Sequence, residues 1–268
     1  LGRWLDELGL GETPVHSALE SRRLKDGELV RGDTHVFLRV LPLTDGASTV
    51  GALALAKDVT EVRQKERLLV VKDATIREIH HRVKNNLQTI ASLLRLQGRR
   101  LHSDEAKAAL QESVLRIGSI ALVHETLSEE PTDVAEFGEV ARRIGRMVAE
   151  GLVLPERDVR IEVEGAAGPL GADLATPLAV VLTELLQNAV EHAFPEGSRG
   201  AVVVELSRSE GEVAMVVRDD GVGLDGAALE GSRLGLQIVR SLIDELGGEF
   251  AISSNGGTRA EVRLRPRR

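Results

Sequence analysis

The densest chemistry in the chain lies in His80-His81-Arg82-Val83-Lys84-Asn85-Asn86-Leu87-Gln88. The stretch sits where Leu69, Ile76, Val83 and Ile90 recur every seven residues, with Leu87, Leu94 and Leu101 on a neighbouring stripe. That is the pattern of a coiled-coil or bundle helix. With Val83 at heptad position a, His81 falls at f, the outermost position, and Asn85 and Gln88 continue along the same face. His80 falls at e, nearer the seam. An exposed imidazole, with a reference pKa of ~6.5, is largely neutral at pH 7 and offers a lone pair to an electrophile. The stretch therefore reads either as a nucleophilic histidine, His81 before His80, or as a polar bundle face. Adjacent residues diverge by about 100° around a helix, so the pair does not chelate one metal.

Three further features have chemical content. Glu184, Asn188 and His192 recur at i, i+4 and i+8 within Thr183–Ala193, on one face of an otherwise apolar helix. A carboxylate, an amide and an imidazole so aligned can hold a hydrated Mg²⁺ and nucleotide phosphates, or can simply face solvent. Val217-Arg218-Asp219-Asp220-Gly221-Val222-Gly223-Leu224 follows a strand. There Asp219 can accept a hydrogen bond from an amino group, and Gly221 and Gly223 permit a tight turn, which alone would also account for them. Gly231-Ser232-Arg233-Leu234-Gly235-Leu236 opens a helix, either as a phosphate-binding N-terminus or as an ordinary helix entry. The P-loop pattern GxxxxGK[ST] does not occur. His124 falls on a core stripe and reads as a satisfied buried histidine. His16, His35 and His102 carry no pattern.

The elements that must position these residues fall into three regions, 1–60, 61–130 and 131–268. In the first, hairpin-type turns at Asp26-Gly27 and Asp45-Gly46 bracket His35–Leu41 and lead to Val50–Ala56, a β-meander with helical material before it. The second is helical almost throughout, with a break from Gly98 to Ser103. Ser103 caps the next helix, whose first turn holds Asp104 and Glu105. Leu110, Ile117 and His124, with Val114 and Ala121, form its stripe. A lone helical hairpin buries too little, so two chains are expected to pair into a four-helix bundle. In the third region Pro131 ends the bundle segment and Asp133 with Glu136 resembles a capping box. Helices are expected over 133–150, 174–193 and 235–246, and strands over 158–164, 201–207, 213–218, 249–253 and 258–265. This is a two-layer α/β sandwich. The fold class is thus α+β multidomain.

At 268 residues the chain is long enough for two or three domains, and 42% hydrophobic residues support a sizeable core. Aromatics are 2%, so the core is aliphatic and a nucleic-acid surface of stacked rings is not expected. A net charge of −8 also argues against direct nucleic-acid binding. With no cysteine, disulfides, thiolate catalysis and Cys-ligated metals are excluded. No apolar run approaches the ~20 residues of a membrane span. The start, Leu1-Gly2-Arg3-Trp4, is not a signal peptide and lacks an initiator Met, as a fragment of a longer chain would.

In family order and spacing, HHRVKNNLQ, ELLQNAVEHA, DDGVGL, LGLQIV and a late GGT resemble a sensor histidine kinase. The helix pair is similar to the dimerisation and phosphotransfer domain of the second HisKA group, related to the HWE kinases. The last region resembles the GHKL, or Bergerat-fold, ATP-binding domain. Residues 1–60 resemble the later part of a PAS sensor domain, and Asp58-Val59-Thr60-Glu61 its exit into a signalling helix. The resemblance implies a cytoplasmic, homodimeric, ATP- and Mg²⁺-dependent kinase. It would autophosphorylate and pass the group to an Asp of a response regulator, in the most similar subgroup one with an RNA-binding output. It implies His81 as phosphoacceptor with His80 as runner-up, Asn188 as the Mg²⁺ ligand, and Glu184 as the acidic residue preceding it. His192 lies on the phosphate side, Asp219 at the adenine amino group, and Gly221, Gly223, Gly235 and Leu236 in the lid and phosphate loop. Thr258 matches a nucleotide-pocket position, and Asn85 would orient a water for phosphatase chemistry. Three positions depart from the family: Arg82 replaces the acid after the phosphoacceptor, Glu191 a usual cation, and Arg233 a glycine, where it could meet phosphate charge. The stretch from Gly223 to Gly235 implies a small ATP lid. The alternative is a GHKL-fold ATP-binding sensor, scaffold or ATPase without histidine phosphotransfer.

Overall fold

The computed structural model describes residues 14–46, 48–129, 134–152, 158–195, 198–223 and 233–265. The chain divides into two compact units between Lys72 and Asp73. In the first, α1 (Pro14–Ser21) precedes β1 (Lys25–Arg31), β2 (Thr34–Asp45) and β3 (Ser48–Asp58), an antiparallel sheet in that order. Leu38 and Val40 alternate inward along β2, and α1 lays Val15 and Ala18 against Val40.

The β-meander forms, with one of its two expected turns moved. Asp45-Gly46 does end β2, with Gly46 at φ +57°. Asp26-Gly27 instead lies inside β1, opposite Arg39 and Leu38, and the β1–β2 turn falls at Gly32-Asp33. The glycine at 27 answers a packing demand rather than a turn: a Cβ there would overlap the Pro14 ring at the start of α1. Asp26 is held in the strand by a two-point contact to the Arg39 guanidinium, 2.7 and 2.8 Å.

The sheet grips the start of the next helix, α2 (Thr60–Gly98), through polar contacts. The His35 amide donates to Thr60 Oγ1 at 2.8 Å, and the Thr60 amide donates to Asp58 Oδ1 at 2.9 Å. Arg63 donates twice to Glu28, at 2.8 and 3.0 Å. Arg67 lies 3.0 Å from His35 Nε2, and a guanidinium only donates, so His35 Nδ1 carries the proton and donates to Glu28 at 2.9 Å. Arg63 first, then His35, hold the Glu28 carboxyl down at about 2. Its folded pKa of about 2 lies below the unfolded ~4.3, so its contribution to stability is present above that pH and lost as pH falls between the two. We expect amide protection in β1 and the first turns of α2 to weaken over that window in hydrogen exchange on the whole chain. Glu28→Gln is expected to reduce that pH dependence, leaving the share carried by Asp26 and Asp58, which Arg39 and Thr60 hold below the ordinary carboxylate range; a variant that titrates like the wild type would refute the assignment.

In the second unit α2 ends at Gly98, and α3 (Asp104–Glu129) starts on the expected Ser103 cap, whose Oγ accepts from the Ala106 amide at 3.3 Å. Only His80 and Ala91 of α2 are buried in a single chain; Leu69 and Ile90 of the heptad stripe are 58% and 45% exposed. By contrast α3 contributes Val123 and Leu127 to the core of the C-terminal layers. The helix expected from residue 133 begins later. Val134–Glu136 forms β4, paired antiparallel with β6 (Pro169–Gly171), and α4 is Phe137–Leu152. The β4 pairing takes up the backbone that a capping box would have used, so Glu136 ends a strand; Pro131 and Asp133 lie outside the described residues.

The remaining elements are β5 (Asp158–Gly165), α5 (Ala172–His192), β7 (Arg199–Ser209), β8 (Glu212–Asp219), α6 (Arg233–Glu245), β9 (Glu249–Ser254) and β10 (Thr258–Leu264). The five-stranded sheet runs β5-β7-β8-β10-β9, parallel only between β5 and β7. Helices α4, α5 and α6 cover it, giving the expected two-layer sandwich. Its core is aliphatic apart from Phe137, Phe194 and Phe250. Among the described residues no helix is long and apolar enough to cross a membrane.

Candidate functional site

A pocket opens where the second half of α5 passes the ends of β8 and β10 and the start of α6. Six residues singled out in the sequence line it: Asn188, His192, Asp219, Gly223, Leu236 and Thr258. Its apolar wall is Leu185, Ala189, Ala193, Val217, Ile252 and Ala260. The period of α5 explains the first pair: Leu178, Leu182 and Leu186 go into the core, which turns Asn188 and His192 towards the rim. Asp219 ends β8, and its Oδ1 accepts from the amides of Gly221 at 3.0 Å and Thr258 at 3.1 Å. Two backbone donors on one oxygen fix the carboxylate, and no described residue engages Oδ2. Gly221 thus touches the site through its amide. Gly235 stands behind it, since a Cβ there would lie 2.9 Å from Glu184 Oε2 and 3.7 Å from Asn188 Nδ2. Arg233 is the first residue of α6. Leu224, Gly231 and Ser232, and with them the expected lid, lie outside the described residues.

Glu184 does not line the pocket. It is 2% exposed and paired with Arg116 of α3, which donates from Nε to Oε1 and from Nη2 to Oε2, the latter at 2.9 Å. The Glu184 hydrogen bonds hold the Arg116 guanidinium above its ordinary pKa. Nothing in the sequence pointed to Arg116: it belongs to no motif, and its partner lies 68 residues away. Gln187, buried between Glu184 and Asn188 in sequence, was likewise not singled out.

On α2 the two adjacent histidines face differently. His81 and Asn85 are exposed on one face. His80 is 7% exposed, and its Nδ1 lies 2.9 Å from Nδ1 of His124 on α3. One ring must donate there and the other accept. The expected satisfied histidine at 124 is therefore half-buried against His80. Arg82 pairs with Glu78 at 2.7 Å, and Glu125 of α3 is flanked by Lys84 at 3.4 Å and Arg143 at 2.6 Å. None of His80, His81 and Asn85 lines the pocket.

Residues 78–151 match the family model described as histidine kinase, and residues 173–268 match the one described as histidine kinase-, DNA gyrase B-, and HSP90-like ATPase. The chain belongs to the histidine kinase family. His80 and His81 of α2 lie in the first match, and the whole pocket lies in the second, the ATPase match. Sensor histidine kinase PdtaS of Mycobacterium tuberculosis is 48% identical over 242 residues, covering 89% of this chain and 48% of the relative. PdtaS of Mycolicibacterium smegmatis is 48% identical over 235 residues, 85% of this chain and 47% of its own. The chain thus spans about half the length of these curated relatives. The histidine kinase domain of the blue-light activated histidine kinase from Erythrobacter litoralis EL346 shares its fold, with a TM-score of 0.53 at 22% identity over 74% of this chain and 94% of that one.

Proposed function

We propose that the chain is the kinase part of a cytoplasmic two-component sensor, which binds ATP in the α5–β8–α6 pocket and phosphorylates itself on His81. The observation that carries this is convergence: four sequence motifs spread over 75 residues supply Asn188, His192, Asp219, Gly223, Leu236 and Thr258 to one pocket inside the ATPase domain. The rival reading, a GHKL-fold sensor or ATPase without histidine transfer, leaves the match of 78–151 to a histidine kinase model unused.

In this reading Asp219 Oδ2 accepts the adenine amino group, the apolar wall holds the ring, and Asn188, His192, Arg233 and the start of α6 serve the phosphates. Among the described residues no group of three His, Asp or Glu could cage a metal. That suits Mg²⁺ bound by the Asn188 amide oxygen with phosphate and water oxygens, where it would offset phosphate charge. The neutral imidazole of His81 forms a bond to the γ-phosphorus as the bond to the β–γ bridging oxygen breaks, positioning supplying most of the acceleration. ADP leaves, the imidazole gives up its remaining proton, and the group passes to an Asp of a response regulator, one with an RNA-binding output in the family's nearest pattern. Asn85, one turn beyond, orients a water that attacks the aspartyl phosphate of the regulator, breaking its P–O bond and releasing inorganic phosphate. Residues 1–60 act as a PAS-like sensor, 61–130 as the dimerisation and phosphotransfer hairpin, and 131–268 as the catalytic domain. The exposed heptad stripe of α2 supports pairing of two chains into a four-helix bundle.

The test is incubation with γ-labelled ATP and Mg²⁺: label that is acid-labile and alkali-stable is expected, and ATP binding without any label would defeat the kinase reading. Asp219→Asn checks the adenine assignment. The amide oxygen can keep the two backbone bonds, but the new NH₂ meets the adenine NH₂, donor to donor. Adenine nucleotide affinity is expected to fall ~10- to 100-fold in calorimetry with the fold retained. Unchanged affinity would remove Asp219 from the site.

A further inference from the structure

Arg116 joins the second helix of the phosphotransfer hairpin to the nucleotide-binding helix. Its guanidinium takes both oxygens of Glu184 and also reaches Glu112 at 3.2 Å. Glu184 lies one turn before Asn188 on the same face of α5, and Gly235 of α6 closes over both. One buried carboxylate therefore touches three structures at once: α3, the stretch of α5 that ends at Asn188, and the start of α6. A planar fork fixes a carboxylate in rotation as well as in place, which a single ammonium does not.

We propose that Arg116 is a positioning residue for phosphoryl transfer. By orienting Glu184 it sets the wall formed by Asn188 and Gly235, and so makes the geometry of the phosphate end of the pocket depend on the seating of α3. The proposal rests on the reading that ATP phosphates lie at Asn188. A merely structural staple between α3 and α5 would make the same contacts, so the test must separate the two.

The experiment compares wild type, Arg116→Lys, Arg116→Met and the double variant Arg116→Met/Glu184→Gln. It measures the autophosphorylation rate against ATP concentration, Mg·ADP affinity by calorimetry, and thermal melting. Arg116→Lys keeps the charge and loses the fork; kcat is expected to fall ~10-fold, and ~100-fold in Arg116→Met, with KM and ADP affinity within ~3-fold. The double variant leaves no buried unpaired charge and is expected to recover the melting temperature without recovering kcat. Recovery of kcat together with melting temperature would overturn the proposal and leave a staple. So would wild-type kcat in a folded Arg116→Lys or Arg116→Met. Absence of label in the wild type, with ADP bound, would instead defeat the kinase reading and this proposal with it.

Discussion

His81→Gln is expected to abolish phosphoryl incorporation, and His80→Gln to retain most of it. The two residues are neighbours in sequence but differ in what a bound nucleotide can reach. His81 is exposed on the outer face of α2, and its replacement touches nothing that holds the helix, so stability should change by no more than ~0.5 kcal/mol. His80 is 7% exposed, and its Nδ1 is committed to His124. A nucleophile there would have to turn out of the interface before attacking phosphorus. Glutamine at 80 can still donate to or accept from the His124 ring, so the interface is expected to lose only ~1 kcal/mol. Acid-labile label is measured in both variants, with circular dichroism confirming that each is folded. Label kept in His81→Gln and lost in His80→Gln would place the acceptor on the inward ring and overturn the assignment.

Asn188→Asp is expected to reduce Mg²⁺-dependent labelling by ~100-fold or more in a chain that remains folded. The change is almost isosteric, so packing of α5 is preserved. What changes is charge: a second carboxylate arrives one turn from Glu184, which Gly235 shows to be close to the same spot. In our reading the phosphates of ATP lie there too, and the site would then face a polyanion with one more negative charge and no N–H donor at that position. A Mg²⁺ titration of the labelling rate, with Mg·ADP affinity measured alongside, checks this. Normal labelling would remove Asn188 from the phosphate and metal assignment.

The parts of the fold written in local pattern were legible before any coordinates. The heptad phase placed His81 outward and His80 nearer the seam. Ser103 marked the start of α3, and apolar periodicity gave α5 and the sandwich. Signals that serve two purposes were misread. Gly27 is required by the approach of Pro14, not by a turn, and Glu136 ends a strand whose partner, Pro169–Gly171, is too short to announce itself. Long-range polar contacts were invisible. Arg116 has no local signature, because its meaning lies in a carboxylate 68 residues away. His35, which showed no pattern, is fixed by Glu28 and Arg67 from two other elements. For the pocket, each motif alone also admits an ordinary reading as a turn, a helix entry or a polar face, and their convergence is a property of the sheet order, which brings β8 and β10 side by side.

The helix that carries His81 has a mechanical consequence. From Thr60 to Gln97 it contains neither proline nor glycine, and so has none of the usual places to kink. At 1.5 Å per residue its 39 residues give a helical path of about 58 Å. In an unbroken helix each side chain keeps a fixed angular phase, so the outward aim of His81 is set by the register of the segment. One residue inserted between Thr60 and His81 would turn every side chain beyond it by about 100° about the helix axis.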